Sequence, residues 1–237
     1  MEIIELSQQQ RAYLGPICKW RIIDLQSLHG MYEFKPNYST LCRLMRRLEK
    51  NGVLASYRRP GENLKYLYLT ALGEELIGDH EQPTAINQQT LVHDLRVSLL
   101  ARRLEELGLI RSSMLEHEIH NKREFGSMGR VVPDARLCGR RLGKDFTLAL
   151  EVELTVKSYP RVAEKVRQYL ENSPYDYVMY VFERANHLKS YQTMLTEKLN
   201  DVDLRRLMFF CWDWASDVRE ARGVFKGKEI ALKEFFA

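Results

Sequence analysis

The chain has 237 residues, of which 45% are hydrophobic and 29% are charged, and its formal net charge is +4. This balance is typical of globular proteins, and the length is sufficient for two domains. No apolar run approaches the roughly 20 residues of a membrane helix, and the N-terminus has no basic start followed by an apolar stretch, so we expect a cytoplasmic protein without a membrane partner.

A basic helix is predicted over Ser39–Asn51. Its apolar residues recur at the spacing of one buried face: Leu41, Leu44, Met45 and Leu48. We expect the Ser39 hydroxyl to cap the start and Gly52 to end the helix. The opposite face carries candidate DNA contacts: Thr40, Arg43, Arg46, Arg47 and Lys50. Such a face can set Arg on guanine edges and Lys on phosphates, and the alternative is a solvated basic surface.

A β-hairpin is predicted directly after this helix, from strands Val53–Arg59 and Leu64–Thr70 around the turn cluster Pro60–Asn63. Three further candidate DNA contacts lie near its tip: Arg58, Arg59 and Lys65. Between residues 35 and 66 there are eight Lys/Arg and two acids, so the positive charge of the chain is concentrated here. Thr70 is expected to cap a following helix, Ala71–Ile77.

The run PNYSTLCRLMRRLEKNGVLASYRRPGENLKYLYLTALGEEL, with the apolar surface of Pro16–Leu28 upstream, resembles winged helix-turn-helix domains. The resemblance implies a domain over residues 1–80 that binds double-stranded DNA, with the basic helix in the major groove and the hairpin along the phosphates. Some winged helices contact only proteins, so binding to an acidic protein partner remains an alternative.

A polar linker is predicted at Gly78–Gln89, followed by a second domain over residues 90–237. This domain begins with an amphipathic helix, Thr90–Leu107. His93 and Asp94 near its start form either a catalytic pair or a local helix-terminal pair, and an Asp is also favoured by the positive end of the helix dipole.

The second domain continues as a mixed α/β pattern, which makes the whole chain α+β. Helices are predicted at Tyr159–Glu171 and Asn186–Leu199. The predicted strands are Glu116–Lys122, Arg130–Cys138, Asp145–Val156, Tyr175–Phe182 and Arg206–Trp212. This order indicates a mixed sheet flanked by helices.

Strict alternation in Asp145–Val156 places Glu151 and Glu153 on one face of their strand. Asp134 on the preceding strand is expected to bring a third carboxylate. Three carboxylates suit Mg²⁺, and a bound Mg²⁺ could support phosphodiester cleavage. The alternative is that the two glutamates line a solvated face or pair with nearby arginines: Arg136, Arg140 or Arg141.

The pattern VVPDA … FTLALEVELTV … EKVRQY resembles the PD-(D/E)XK nuclease-like fold. The resemblance assigns Asp134 and Glu151 to the acidic motif positions, whereas Glu153 occupies the usual lysine position. Lys157 and Lys165 are the candidates for a migrated catalytic lysine. Because that lysine helps to position the attacking water, its replacement by Glu153 argues against endonuclease activity.

The predicted winged helix, the LVHDLRVSLL helix and the nuclease-like pattern together resemble the replication-relaxation family. The resemblance implies a regulator or accessory factor in the replication or conjugative mobilisation of plasmids and other mobile elements, with relaxase or replication proteins as partners. DNA binding itself would need no cofactor, and a homodimer is expected if the bound site is palindromic. A Mg²⁺-dependent endonuclease targeted by the winged helix is the alternative function.

Overall fold

The computed structural model describes residues 5–33, 35–59, 63–77, 86, 89–121, 131–171 and 174–237. The chain divides into two compact units, Met1–Ser98 and Leu99–Ala237. Each contains helices and one sheet, which confirms the predicted α+β class. Most of the predicted linker lies outside the described residues. The boundary between the two units in the chain falls after Ser98, within a helix that follows this linker.

The first unit combines helices with a small antiparallel sheet. Its elements in chain order are α1 (Gln8–Trp20), β1 (Ile22–Asp24), α2 (Leu25–Gly30), α3 (Tyr38–Lys50), β2 (Leu54–Arg58), β3 (Lys65–Leu69) and α4 (Ala71–Ile77). The strands are ordered β1–β3–β2, so the predicted hairpin β2–β3 is present and β1 pairs with its second strand. The apolar segment Pro16–Leu28 is divided among α1, β1 and α2, because the chain turns at Arg21, which has a φ of 59°.

Helix α3 begins one residue before the predicted Ser39, and its cap is a different residue. The side chain of Asn37 accepts the backbone N–H of Ser39 at 2.9 Å, and the Ser39 hydroxyl donates to the same oxygen at 2.7 Å. An amide oxygen at this position satisfies a free N–H of the first turn, so Asn37 is the N-cap. The predicted roles of two other residues are confirmed: Gly52 has a φ of 72°, and the Thr70 hydroxyl accepts the N–H of Gly73 at the start of α4.

Helix α5 (Leu91–Glu106) contributes its first two turns to the first unit. Leu91 and Leu95 pack in one buried cluster with Ile22 of β1 and Tyr66 of β3. The Ser98 hydroxyl donates to the carbonyl of Ile22 at 3.1 Å. The small sheet is therefore covered by a helix that lies beyond the predicted linker in the sequence.

The second unit is built on a seven-stranded mixed sheet. Its further elements are β4 (Ser112–Leu115), α6 (Glu116–Asn121), β5 (Ala135–Arg141), β6 (Lys144–Glu153), α7 (Tyr159–Leu170), β7 (Tyr177–Phe182), α8 (Ala185–Lys198), α9 (Asp201–Leu204), β8 (Leu207–Cys211), β9 (Arg222–Phe225), β10 (Lys228–Ala231) and α10 (Leu232–Phe236). The strand order is β10–β9–β8–β7–β6–β5–β4. The pairs β6–β7 and β7–β8 are parallel, and the other pairs are antiparallel.

The predicted strand Glu116–Lys122 is wrong, because the chain forms a strand before it and a helix from Glu116. The N–H of Leu115 donates to the Glu118 carboxylate at 2.9 Å, which satisfies a backbone group at the helix start. Arg130 lies outside the described residues, residues 131–134 form no strand, and β5 begins at Ala135. The strand predicted to reach Val156 ends at Glu153. The hairpin β9–β10 has no counterpart among the predicted elements.

Both faces of the large sheet are covered around β6, where residues 148–153 are all buried. Side chains of α7 and α8 form a core with β7 and β8 on one side, including Tyr169, Tyr180 and Tyr191. A solvated face beside the two glutamates is therefore excluded. Among the described helices, none combines the length and apolar character needed to cross a membrane.

Candidate functional site

The outward side of α3 carries a cationic face, defined by Arg43, Arg46, Arg47 and Lys50. All four side chains are exposed, as is Thr40, whereas Leu41, Met45 and Leu48 are buried on the opposite side. Within the described part of the chain none of the four cations forms an ion pair, and Arg43 donates only to the Thr40 hydroxyl at 3.3 Å. Four like charges exposed on one helix face create a positive field that favours a polyanionic ligand.

The hairpin β2–β3 lies beside this face and is tied to it by an ion pair. The Lys65 ammonium lies 2.5 Å from a carboxylate oxygen of Glu49 on α3. Lys65 is paired across the hairpin with Arg58, which is exposed, and Arg59 is partly exposed. The turn residues 60–62 lie outside the described residues. The predicted basic residues of helix and hairpin are thus neighbours, but the charge of Lys65 is compensated within the unit.

A groove of about 440 Å³ separates α3 from the hairpin. Its lining includes Arg46, Glu49, Arg58, Tyr38, Cys42 and Leu64. Arg46 of the helix and Arg58 of the hairpin thus both line this groove.

The contacts of His93 and Asp94 favour a local helix-terminal pair over a catalytic pair. The buried Asp94 carboxylate accepts the Thr90 hydroxyl at 3.1 Å and lies 3.4 Å from the Arg21 guanidinium and 3.5 Å from His93 Nδ1. All of these partners lie at the start of α5 or in the adjoining turn before β1. These contacts indicate that the carboxylate stabilises this helix end.

The second unit contains a buried acid cluster, defined by Asp134, Glu151, Glu153, Lys157 and Lys165. Glu151 is fully buried on β6, and its two oxygens accept hydrogen bonds from the Tyr169 hydroxyl and the Lys165 ammonium, both on α7. The Lys157 ammonium lies 2.9 Å from Glu153, and an oxygen of Asp134 accepts the N–H of Val152 at 2.7 Å. The structure thus brings together all five residues predicted for the acid and lysine positions.

Burial dominates the electrostatics of this cluster. It raises the pKa of Glu151 to about 8, with a further contribution from the Asp134 charge that the Lys165 ammonium only partly offsets. Burial also raises the pKa of Glu153, against the effect of Lys157. Burial lowers the pKa of Lys165, but the neighbouring carboxylates, Glu151 first, raise it overall. The cluster therefore favours a charged lysine beside a carboxyl group that holds its proton tightly.

The donor set does not fit a divalent cation as it stands. Both oxygens of Glu151 accept hydrogen bonds, and Glu153 and Asp134 are each engaged by a further donor. Across the described ranges, no group of three or more His, Cys, Asp or Glu side chains is arranged to hold a metal ion. This geometry does not support the prediction that Asp134, Glu151 and Glu153 bind a metal ion.

The alternative arginine partners of the glutamates are wrong, because each arginine lies elsewhere. Arg136 contacts the sulfur of Met114, Arg140 donates to the carbonyl of Gly143, and Arg141 lies over aromatic rings. The sequence interpretation also missed Tyr169. It follows Lys165 by four residues on α7, and this spacing places both side chains on one helix face.

The fold and these two sites define an α+β protein with an exposed cationic helix in one unit and an ion-paired acid cluster in the other. A sequence model of the replication-relaxation family matches residues 17–177, which is more than half of the chain. The chain belongs to the replication-relaxation family. No curated protein and no solved structure matches the chain.

Proposed function

We propose that this protein binds double-stranded DNA through a winged helix-turn-helix in its first unit. The observation that carries the proposal is the cationic face of α3, which is exposed, free of ion pairs to described residues and flanked by a basic hairpin. Family membership supports a role in replication or mobilisation, and we infer a regulator or accessory factor of plasmids and mobile elements.

The element order supports this interpretation. Helix α3 follows α2 after a short connection and leads directly into the hairpin β2–β3, whose second strand also pairs with β1. In this arrangement α3 enters the major groove, with Arg43, Arg46 and Arg47 facing base edges or phosphates and Lys50 facing the backbone. Arg58 and Arg59 of the hairpin contact the adjoining phosphates. Thr40 contacts the DNA near the start of α3. Lys65 contributes mainly by holding the hairpin against α3.

The second unit has a non-catalytic role in this proposal. The polar groups at its PD-(D/E)XK-like positions are already engaged in hydrogen bonds with one another, which makes the cluster a buried structural network. The unit then serves partner docking or further DNA contact, with relaxase or replication proteins as the expected protein partners. A second copy of the chain is expected where the DNA site is palindromic.

Duplex binding by the full chain tests the proposal. The DNA probe is a duplex selected from a random pool, and fluorescence anisotropy gives the affinity over a range of salt concentrations. In the triple variant Arg43→Ala, Arg46→Ala, Arg47→Ala we expect affinity to fall about 100-fold or more. The dependence of log K on log salt should become shallower by roughly 0.9 for each phosphate that the variant no longer neutralises.

A matched triple variant controls for the removal of charge. Arg167, Lys189 and Lys233 are exposed cations on helices of the second unit, and their replacement by alanine removes the same three charges. Near-native affinity in this control, with weakened binding confined to the α3 variant, supports the proposal. Equal affinity of the α3 variant and the native protein overturns it.

A metal-dependent endonuclease is the second candidate function. It is favoured by the meeting of Asp134, Glu151 and Lys165, the positions that the nuclease-like pattern assigns to catalysis. Incubation of supercoiled plasmid with the protein and Mg²⁺ or Mn²⁺ separates the two functions. Our proposal expects no nicking, whereas nicking that disappears in both Asp134→Ala and Glu151→Ala would establish the endonuclease.

A further inference from the structure

The hairpin of β5 and β6 extends beyond the strands on either side of it. Pairing of β4 with β5 begins at Cys138, and pairing of β7 with β6 begins at Leu148, with two further hydrogen bonds between Asp176 and Thr147. Residues Gly139–Phe146 therefore form a two-stranded ribbon with no neighbouring described strand. From Thr147 to Gly143 the ribbon extends about 13 Å at the usual rise per residue.

The base of this ribbon is held by aromatic packing within the second unit. Phe146 is buried, covers the position that a Cβ of Gly139 would occupy, and contacts the ring of Phe235 at 5.8 Å between centroids. The Arg141 guanidinium lies 4.9 Å from the centre of the same Phe235 ring. The ribbon is thus anchored on one face, so it presents its tip in a defined direction.

The tip is an exposed leucine in a conformation that leucine rarely adopts. Arg141 and Lys144 flank a two-residue turn in which Leu142 has a φ of 48° and Gly143 a φ of 78°. Such turns favour Asn-Gly or Asp-Gly, because a branched side chain is strained at positive φ. The Leu142 side chain is 80% exposed, so burial within the described chain does not compensate for this strain. A strained outlier of this kind points to a function outside the fold.

Cations surround the leucine. Arg140 and Lys144 are exposed on either side of the turn, and the Arg140 guanidinium donates to the carbonyl of Gly143 at 2.8 Å. Arg111, at the neighbouring start of β4, is also exposed. The acid at this tip, Asp145, lies 3.0 Å from Arg111 and 3.9 Å from Arg140, so the tip keeps a net positive charge.

We infer that the β5–β6 ribbon is a second DNA contact that inserts Leu142 between base pairs from the minor groove, while Arg140 and Lys144 contact the flanking phosphates. The inference rests on the proposed function for the choice of duplex DNA as the partner. Apolar wedges on basic elements unstack and kink DNA in this way. An anionic membrane surface fits less well, because interfacial binding needs a broad apolar face and the tip offers one side chain.

The experiment measures DNA distortion by the full chain. The probe is a duplex of about 30 base pairs with a flexible central TA step, 2-aminopurine beside that step and a dye pair at its ends. For the native protein we expect 2-aminopurine to brighten on unstacking and the ends to approach on bending. In Leu142→Asn both signals should disappear, although asparagine suits the turn and the fold is retained. In Leu142→Met both should remain.

Leu107→Asn is the matched control, since Leu107 is another exposed leucine of the second unit, and it should leave both signals unchanged. If Leu142→Asn distorts the duplex as the native protein does, the inference is overturned. It is also overturned if Leu142→Asn loses binding only to phosphatidylserine vesicles. If the α3 triple variant binds more weakly but the native protein does not distort the duplex, only this inference is overturned. If distortion depends on Leu142 but the α3 triple variant binds with full affinity, only the assignment of α3 is overturned.

Discussion

The cationic face of α3 and the acid cluster around β6 both gather several ionisable side chains, but the cations of α3 are exposed whereas Glu151 and Glu153 are buried. On α3 the four cations are exposed and have no ion pair with a described residue. On β6 the two glutamates are buried, and each is contacted by a lysine. Charge that stays solvated is available to an external polyanion, whereas buried charge must be neutralised by the fold itself.

The comparison predicts a separation of effects. Removing a charge from the α3 face should change DNA affinity and leave stability nearly unchanged. Removing one from the acid cluster should change stability and leave DNA affinity nearly unchanged.

The largest effect on stability is expected for Lys165→Ala. At pH 9 the variant leaves the Glu151 carboxylate buried without its cation, and we expect the free energy of unfolding to fall by about 3 kcal/mol. At pH 6 the decrease should be smaller, because a protonated Glu151 carries no charge to compensate. Urea denaturation at both pH values measures this, with duplex affinity measured in parallel.

Arg167→Ala is the control for that variant. Arg167 lies on the same helix and pairs with Glu164, but both side chains are exposed, so we expect a change within about 0.5 kcal/mol. Equal destabilisation by the two variants would show that burial is not what distinguishes the cluster.

The next effect is a pH dependence of stability that belongs to Glu151. Its pKa in the folded protein is about 8, above the ordinary value of 4.5, so the folded state binds this proton more tightly than the unfolded chain does. The stabilising contribution is complete below pH 4.5 and is lost as the pH rises through 8. We expect the free energy of unfolding to fall over this range in the native protein and to fall much less in Glu151→Gln.

Urea denaturation of both proteins across this pH range measures that difference. Glu164→Gln, which changes an exposed glutamate on α7, should retain the native profile. A Glu151→Gln profile parallel to that of the native protein would contradict the raised pKa.

A smaller effect separates two cations that the sequence interpretation treated alike. Arg46→Ala should weaken duplex binding about tenfold, equivalent to about 1.4 kcal/mol. Lys65→Ala should weaken it less than about threefold, because Lys65 is already paired with Glu49. Anisotropy titrations with one duplex measure both. Equal weakening by the two variants would mean that Lys65 leaves Glu49 to contact DNA.

The smallest effect concerns the start of α3. Asn37→Ala removes the side chain that accepts the Ser39 N–H, and we expect a decrease of about 1 kcal/mol in the free energy of unfolding. Ser39→Ala should cost less than about 0.5 kcal/mol, because Ser39 is not the cap. The reverse order in thermal or urea denaturation would restore Ser39 as the capping residue.

Local patterns were sufficient for the elements whose neighbours in space are also neighbours in sequence. The apolar spacing of α3, the turn cluster between β2 and β3, and Thr70 at the start of α4 act within a few residues. The alternation in β6 likewise placed Glu151 and Glu153 together. Alternation alone was misleading in α6, whose residues alternate like a strand although Glu118 caps the backbone of Leu115 and the chain forms a helix. Contacts between distant segments were not predicted, as the packing of Leu91 and Leu95 of α5 against Ile22 shows.

The order of residues along the chain was sufficient to predict a basic helix next to a hairpin and to name Asp134, Glu151 and two nearby lysines as candidate acid-site residues. The role of these groups depends on how the chain packs. The packing of α7 against β6 buries Glu151 and supplies both Lys165 and Tyr169 to it, which makes the acids an internal network. The fold of the second unit also leaves Leu142 exposed at the end of the β5–β6 ribbon. The physical reason is that burial and solvation depend on the packing of residues distant in sequence, and they decide whether a charge or an apolar side chain is available to a ligand.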